Sequence, residues 1–164
     1  MNKNIEIYTD GSSLGNPGPG GWGVVILIPN QNNNDLKVES ENLNTVELGG
    51  GEKNTTNNRM ELQAVIEALK YLSARKDLAE NVTIYADSSY VLGGVTNWIF
   101  GWEKNGWKTA NKKPVLNQEL WKELIMRVRE FKGKITWQKV KGHSGHIYND
   151  KADEIATSYA AKQK

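Results

Sequence analysis

Apolar and polar positions alternate with a period of two from the start of the chain. Ile5, Ile7 and Thr9 interleave with Glu6, Tyr8 and Asp10, the pattern of a pleated strand. This strand is expected to stop on Asp10 and turn through Gly11 into a Gly/Pro-rich loop ending at Gly21 and Trp22. A second strand follows over residues 22–28, apolar on both faces and closed by Pro29. After a polar loop with Asn32 to Asn34, alternation resumes over residues 36–48, read as a third, antiparallel strand. Gly49 to Gly51 then predict a flexible connector.

The period changes to helical over residues 55–72, where Leu62, Val65, Ile66, Leu69 and Leu72 form one stripe. Asn58 is the expected N-cap, with Glu61 three residues on as its capping-box partner. Residues 82–87, VTIYAD, form a strand whose Ile-Tyr-x-Asp ending repeats Ile7 to Asp10. If the two lie parallel and adjacent, Asp10 and Asp87 emerge at one edge and on one face. Residues 88–102 are helical by pattern but interrupted at Gly93-Gly94, with Trp98 and Trp102 on a shared face. An irregular stretch leads to a helix opened by Asn117 and striped by Leu120, Trp121, Leu124, Ile125 and Val128. The last strand is expected over residues 135–140, and a final helix from Asn149 or Asp150. Strands at both ends of helices require parallel crossovers, so the fold class is α/β, a mixed sheet with helices on its faces.

With 164 residues, one domain spanning 1–164 is expected, large enough for its own core. The chain has no cysteine, which excludes disulfides and thiolate metal sites and suits a reducing compartment. No signal-peptide pattern or membrane-length apolar run is present, so a soluble, cytoplasmic monomer is the expectation. A net charge of +2 leaves the placement of charges more informative than their sum.

Four acids share a similar placement: Asp10 and Asp87 at strand ends, Glu61 and Asp153 in the expected first turns of helices. Singly, each has an ordinary structural role, as a turn residue, a capping-box acid or a dipole partner. Together they suggest a site for a hard cation, because Mg²⁺ takes a few carboxylates plus substrate phosphate oxygens. Without a cation, such a cluster would repel itself and one member would resist ionising.

The sequence resembles the type 1 ribonucleases H, nearly end to end. The resemblance is carried by Tyr8-Thr9-Asp10-Gly11-Ser12 with the run Gly15 to Gly21, and by Thr55 through Leu62. Asp87-Ser88-Ser89-Tyr90-Val91, Gly106 through Thr109, Lys141 through His146 and Asn149 through Ala156 carry it further. It implies a ribonuclease H-like fold, a five-stranded mixed sheet with helices on both faces. It also implies hydrolysis of the RNA strand of an RNA–DNA hybrid with two Mg²⁺ ions, Mn²⁺ substituting.

On matching positions, Asp10, Glu61, Asp87 and Asp153 are the implied metal-binding acids. His143 is the implied assistant in proton transfer or product departure, and His146 a residue that holds its loop. Gly11, Ser12, Ser13, Asn16, Asn57, Asn58 and Ser89 are the implied contacts to nucleic acid near the site, and Thr56 part of a DNA-phosphate pocket. Trp98, Trp102, Lys104, Lys108, Lys112 and Lys113 lie in the implied basic handle for the DNA strand. Glu103-Lys104-Asn105 is less basic than the family's cationic run; Arg127, Arg129, Lys132 and Lys134 are further candidate charges. A strand-transfer or junction nuclease of the same fold, and a hybrid-binding module without catalysis, are the alternative readings.

Overall fold

In the computed structural model, residues 4–29, 43–75, 77, 81–140 and 146–164 are described. Five strands form one sheet: β1 (Asn4–Ser13), β2 (Gly18–Pro29), β3 (Leu43–Thr55), β4 (Asn81–Ala86) and β5 (Lys134–Lys139), in the order β3-β2-β1-β4-β5. The first three make an antiparallel meander, while β1, β4 and β5 run parallel. The sheet is therefore mixed and five-stranded, as expected.

Helices cover both faces. Ile5, Ile7, Val24 and Ile26 point to α1 (Asn57–Ala74) and α4 (Gln118–Glu130), whose Leu62, Ile66, Leu69, Trp121 and Leu124 are buried with them. Burying each such side chain stabilises the fold by about 1.5–3 kcal/mol relative to leaving it exposed. The opposite alternation, Tyr8, Val25 and Leu27, meets α5 (Ile147–Lys162). Close approach of α5 needs a strand without side chains: a Cβ on Gly23 would collide with the Ala152 carbonyl and lie 2.9 Å from Ile155 Cβ.

Several expected boundaries move. β1 continues past Asp10 to Ser13, because Gly20 to Gly23 of β2 pair with it throughout. β3 runs straight through Gly49 to Gly51, since they pair with residues 21–23 of β2, with Gly49 lying under Tyr159 and Ile155 of α5, Gly50 against the Trp22 ring and Gly51 against Gln163. What looks like a connector is a strand cleared for a helix. Of the third strand expected at 36–48, residues 36–42 lie outside the described residues. The N-cap of α1 is Thr56, whose hydroxyl accepts from the Arg59 N–H at 3.2 Å; Asn58 is already helical. α5 starts at Ile147, two residues early, so Asp153 lies two turns in and Glu61 beyond the first turn of α1. Neither acid is a first-turn dipole partner.

Between β4 and α4 the chain forms α2 (Ser89–Gly93), a π-helical turn (Gly94–Trp98) and α3 (Ile99–Lys104). The π turn falls at the glycine pair, where a Cβ on Gly94 would strike the Trp121 ring. Among the described residues no helix is long and apolar enough to cross a membrane.

Candidate active site

Parallel pairing of β1 with β4 ends at Thr9 and Ala86, so Asp10 and Asp87 are the next residues of each strand. Tyr8 and Tyr85, two residues earlier, stack with centroids 4.6 Å apart. Alternation then carries both carboxylates to the same face, the face covered by α5. The repeated Ile-Tyr-x-Asp ending thus does bring the two acids to one edge. Asp153 joins them from α5. Glu61 reaches the same point from α1, on the far side of the sheet.

Asp10, Gly11, Ser12, Ser13, Asn57, Asp87, Asn149, Asp150 and Asp153 line a cleft of about 410 Å³. Burial, then the neighbouring Asp153 carboxyl, push the Asp10 carboxyl up to about 7 against an opposing pull from the Gly11 N–H, with the Asp87 charge adding the least. Glu61 is held well above the usual carboxylate range, first by burial and then by Asp10 and Asp87. Its Oε1 is shut from solvent with no hydrogen-bond partner. Among the described residues no three acids already close into a preformed metal cage. The Asp153 carboxyl nevertheless raises Asp10, and the Asp10 carboxyl raises Glu61, as close like-charged neighbours do. The set is open, crowded and undercompensated, and oxygen-only, which is the donor chemistry that suits a hard divalent cation.

The glycine-rich loop folds back beside this cleft. The Ser13 hydroxyl donates to Asn57 Oδ1 at 3.2 Å, and the Asn57 N–H donates to Asn16 Oδ1 at 3.3 Å. Asn16, Asn57 and Asn58 are exposed there, whereas the Thr56 hydroxyl is engaged as the α1 cap. Ser89 stands at the start of α2, accepting from Lys139 Nζ at 2.9 Å. Sequence reasoning missed Asn149 and Asp150 as cleft residues. Their spacing of four and three before Asp153 on one helix is the signal that could have found them.

His143 lies outside the described residues. His146 sits at the entry to α5, with Nε2 3.3 Å from the Tyr8 hydroxyl and its ring 4.8 Å from the Tyr8 ring. Burial holds the Tyr8 phenol neutral far above neutral pH.

The handle residues form a separate surface. Trp98 is 43 % exposed, while the half-buried Trp102 packs against Trp107 and Trp121, at 6.1 and 5.4 Å between ring centroids, and so against the core. Lys104, Lys108, Lys112 and Lys113 are exposed, and Lys108 and Lys112 line a cleft of about 440 Å³ with Asn105, Thr109 and Ala110. Glu103 is held at 2.7 Å by both terminal nitrogens of Arg129. It fastens α3 to α4, and Arg129 is occupied there. Arg127 pairs with Glu123 at 3.5 Å, so neither arginine is uncommitted positive charge.

A family model described as RNase H matches residues 2–161. A Ribonuclease H of Mesorhizobium japonicum is 50% identical over 156 residues, covering 95% of this chain and 77% of that one. Among solved structures, LC9-RNase H1, described as a type 1 RNase H with the type 2 active-site motif, superposes with a TM-score of 0.83 at 30% identity, over 100% of this chain and 75% of that one. LC11-RNase H1, solved in complex with RNA/DNA hybrid, gives a TM-score of 0.67 at 27% identity over 96% and 97% of the two chains.

Proposed function

The chain belongs to the ribonuclease H family, and from that premise we propose that Asp10, Glu61, Asp87 and Asp153 hold two divalent cations, Mg²⁺ or Mn²⁺, for hydrolysis of the RNA strand of an RNA–DNA hybrid. The observation that carries this is the buried, unpartnered Glu61 Oε1 beside a carboxyl pushed up to about 7. Such a cluster is costly alone and is relieved by added positive charge. When bound, the cations supply nucleophile activation and charge neutralisation at the phosphodiester.

The chain's own groups do the rest. Asp10 and Asp87 stand fixed on the sheet edge, and Glu61 and Asp153 close on them from helices on opposite faces. Peptide groups of Gly11 to Ser13 and the side chains of Asn16, Asn57 and Asn58 position the strand, reading the 2′-hydroxyl that DNA lacks. His143 moves a proton as product departs. The test is cleavage of hybrid, duplex RNA and duplex DNA, each with Mg²⁺ and with chelator. Cleavage confined to the RNA strand of hybrid, and lost in chelator, is expected. Cutting of duplex DNA would point to the junction-nuclease reading, and binding without cutting to a non-catalytic module. In the same assay His143→Ala is expected to lower kcat by roughly 10²-fold or less with KM little changed; a rise in KM at constant kcat would make it a binding residue.

The handle takes the DNA strand. Replacing Lys104, Lys108, Lys112 and Lys113 together with Ala should raise KM and flatten the salt dependence of binding, each phosphate contact contributing a slope of roughly 0.7–0.9. An affinity titration over several salt concentrations measures it, and equal slopes for both proteins would place the grip elsewhere. Glu103→Lys would set a lysine against Arg129, so it is expected to loosen α3 from α4.

A further inference from the structure

A cleft lined by Asp10, Asp87, Asp150 and Asp153, with Glu61 buried behind Asp10, repels a polyanion, so nearby cations must supply the attraction. Arg59, Lys139 and Lys151 are described cations that neighbour these acids in sequence or strand register. Arg59 is committed: it lies 2.7 Å from Glu119 Oε2 and donates to Asn117 Oδ1 at 3.1 Å. Lys151 lies 3.8 Å from Glu154. Lys139 differs. Among the described residues it has no carboxylate partner, and its Nζ donates to the Ser89 hydroxyl at 2.9 Å, which leaves two N–H donors for a ligand.

Its place in the fold gives those donors a use. Lys139 is the last residue of β5 and pairs in register with Ala86, the residue before Asp87. Alternation puts Lys139 on the Ala86 side of the sheet, while Asp87 and Asp10 face α5. Lys139 and the Asp10–Asp87 pair therefore flank one sheet edge from its two sides. Ser89 opens α2, and the chain continues through the π turn and α3 into the lysine-rich loop. Its bond to Ser89 ties Lys139 to the segment that joins the acidic cleft to the handle.

We propose that Lys139, oriented by Ser89, binds a backbone phosphodiester of the nucleic acid as it leaves the cleft toward the handle. This rests on the hybrid-hydrolase reading above. A lysine suits the task as a compact point charge that tolerates a range of phosphate positions, and the Ser89 hydroxyl holds it at the edge without neutralising it.

Hybrid binding, followed by fluorescence anisotropy over several salt concentrations in chelator, tests the assignment without turnover. Lys139→Met is expected to weaken binding about five- to tenfold at low salt and to reduce the salt slope by roughly 0.7–0.9, the signature of one lost phosphate contact. Steady-state kinetics should show a matching rise in KM with kcat at saturating hybrid within about twofold. Lys139→Arg should restore the slope, because it keeps the charge, and Ser89→Ala should cost about two- to threefold in affinity with the slope kept. An unchanged slope in Lys139→Met would overturn the proposal. So would a fall in kcat at constant KM, which would place Lys139 at the reacting phosphate. If the parent protein itself bound no hybrid, the hydrolase reading would fail instead, and the two results are told apart by that control.

Discussion

Asp10→Asn is expected to lower cleavage by roughly 10³-fold or more, and yet to make the metal-free protein more stable at neutral pH. Both effects come from one carboxylate. The folded state pushes Asp10 up from 3.8 to about 7, so between these values folding takes up a proton. Stability therefore falls as pH rises through that window. Below about pH 4 the carboxyl is protonated in both states and no penalty exists; above about pH 7 the penalty is complete. With the group partly open to solvent, which screens the interaction, the penalty amounts to about 2 kcal/mol. Asparagine removes it, so Tm in chelator at pH 8 should rise by about 4–8 °C, and the gain should vanish toward pH 4. Adding Mg²⁺ should raise the Tm of the parent protein by mass action and that of Asp10→Asn much less. Melting curves with and without chelator at several pH values decide it. A lower Tm for Asp10→Asn at pH 8 would make the residue a structural one.

The second large effect is steric. A Cβ on Gly11 would run into the Glu61 backbone nitrogen and lie 2.5 Å from the Met60 carbonyl carbon. The obstacle is backbone, so no rotamer change relieves it. Gly11→Ala must then push α1 away from β1 and carry Glu61 away from Asp10. Overpacking of this kind costs about 3 kcal/mol, a drop in Tm of about 6–12 °C. A displacement near 1 Å at the acids costs turnover by about 10²-fold. Gly101→Ala is the control: nothing lies within 4 Å of its Cβ in α3, and alanine there should be neutral or add about 0.5–1 kcal/mol. Thermal melts and cleavage rates of both variants test the pair. Similar Tm values for the two would show that α1 and β1 are not in the contact described.

The Arg129–Glu103 pair shows how a residue can be placed correctly in sequence and misread in purpose. From the chain alone, Glu103 is a charge that weakens a basic handle and Arg129 one that could compensate. They stand 26 residues apart and meet only when α3 and α4 pack. Each then answers the other, and neither is available to the substrate. Lys139 is the reverse case: nothing in its local sequence separates it from other exposed lysines, and only its register with Ala86 and its contact with Ser89 do so.

By itself the sequence determined what short-range periodicity and local chemistry can carry. The alternation of β1 and β4 and their shared Ile-Tyr-x-Asp ending placed Asp10 and Asp87 on one edge, and the stripe of α1 identified its buried face. These hold because side-chain direction along a strand or helix follows from the backbone period, which neighbours in sequence already express. The motifs added the family. Tertiary structure alone decided where elements begin and end and which charges remain free. β1 passes Asp10 and β3 passes three glycines because partner strands supply their hydrogen bonds and, at Gly49, α5 requires the space. Glu61 and Asp153 approach Asp10 because helices on opposite faces are seated there by packing, and the raised Asp10 carboxyl is a product of that approach. Burial and charge proximity arise between segments distant in the chain, and a local pattern contains no information about the distance that folding leaves between them.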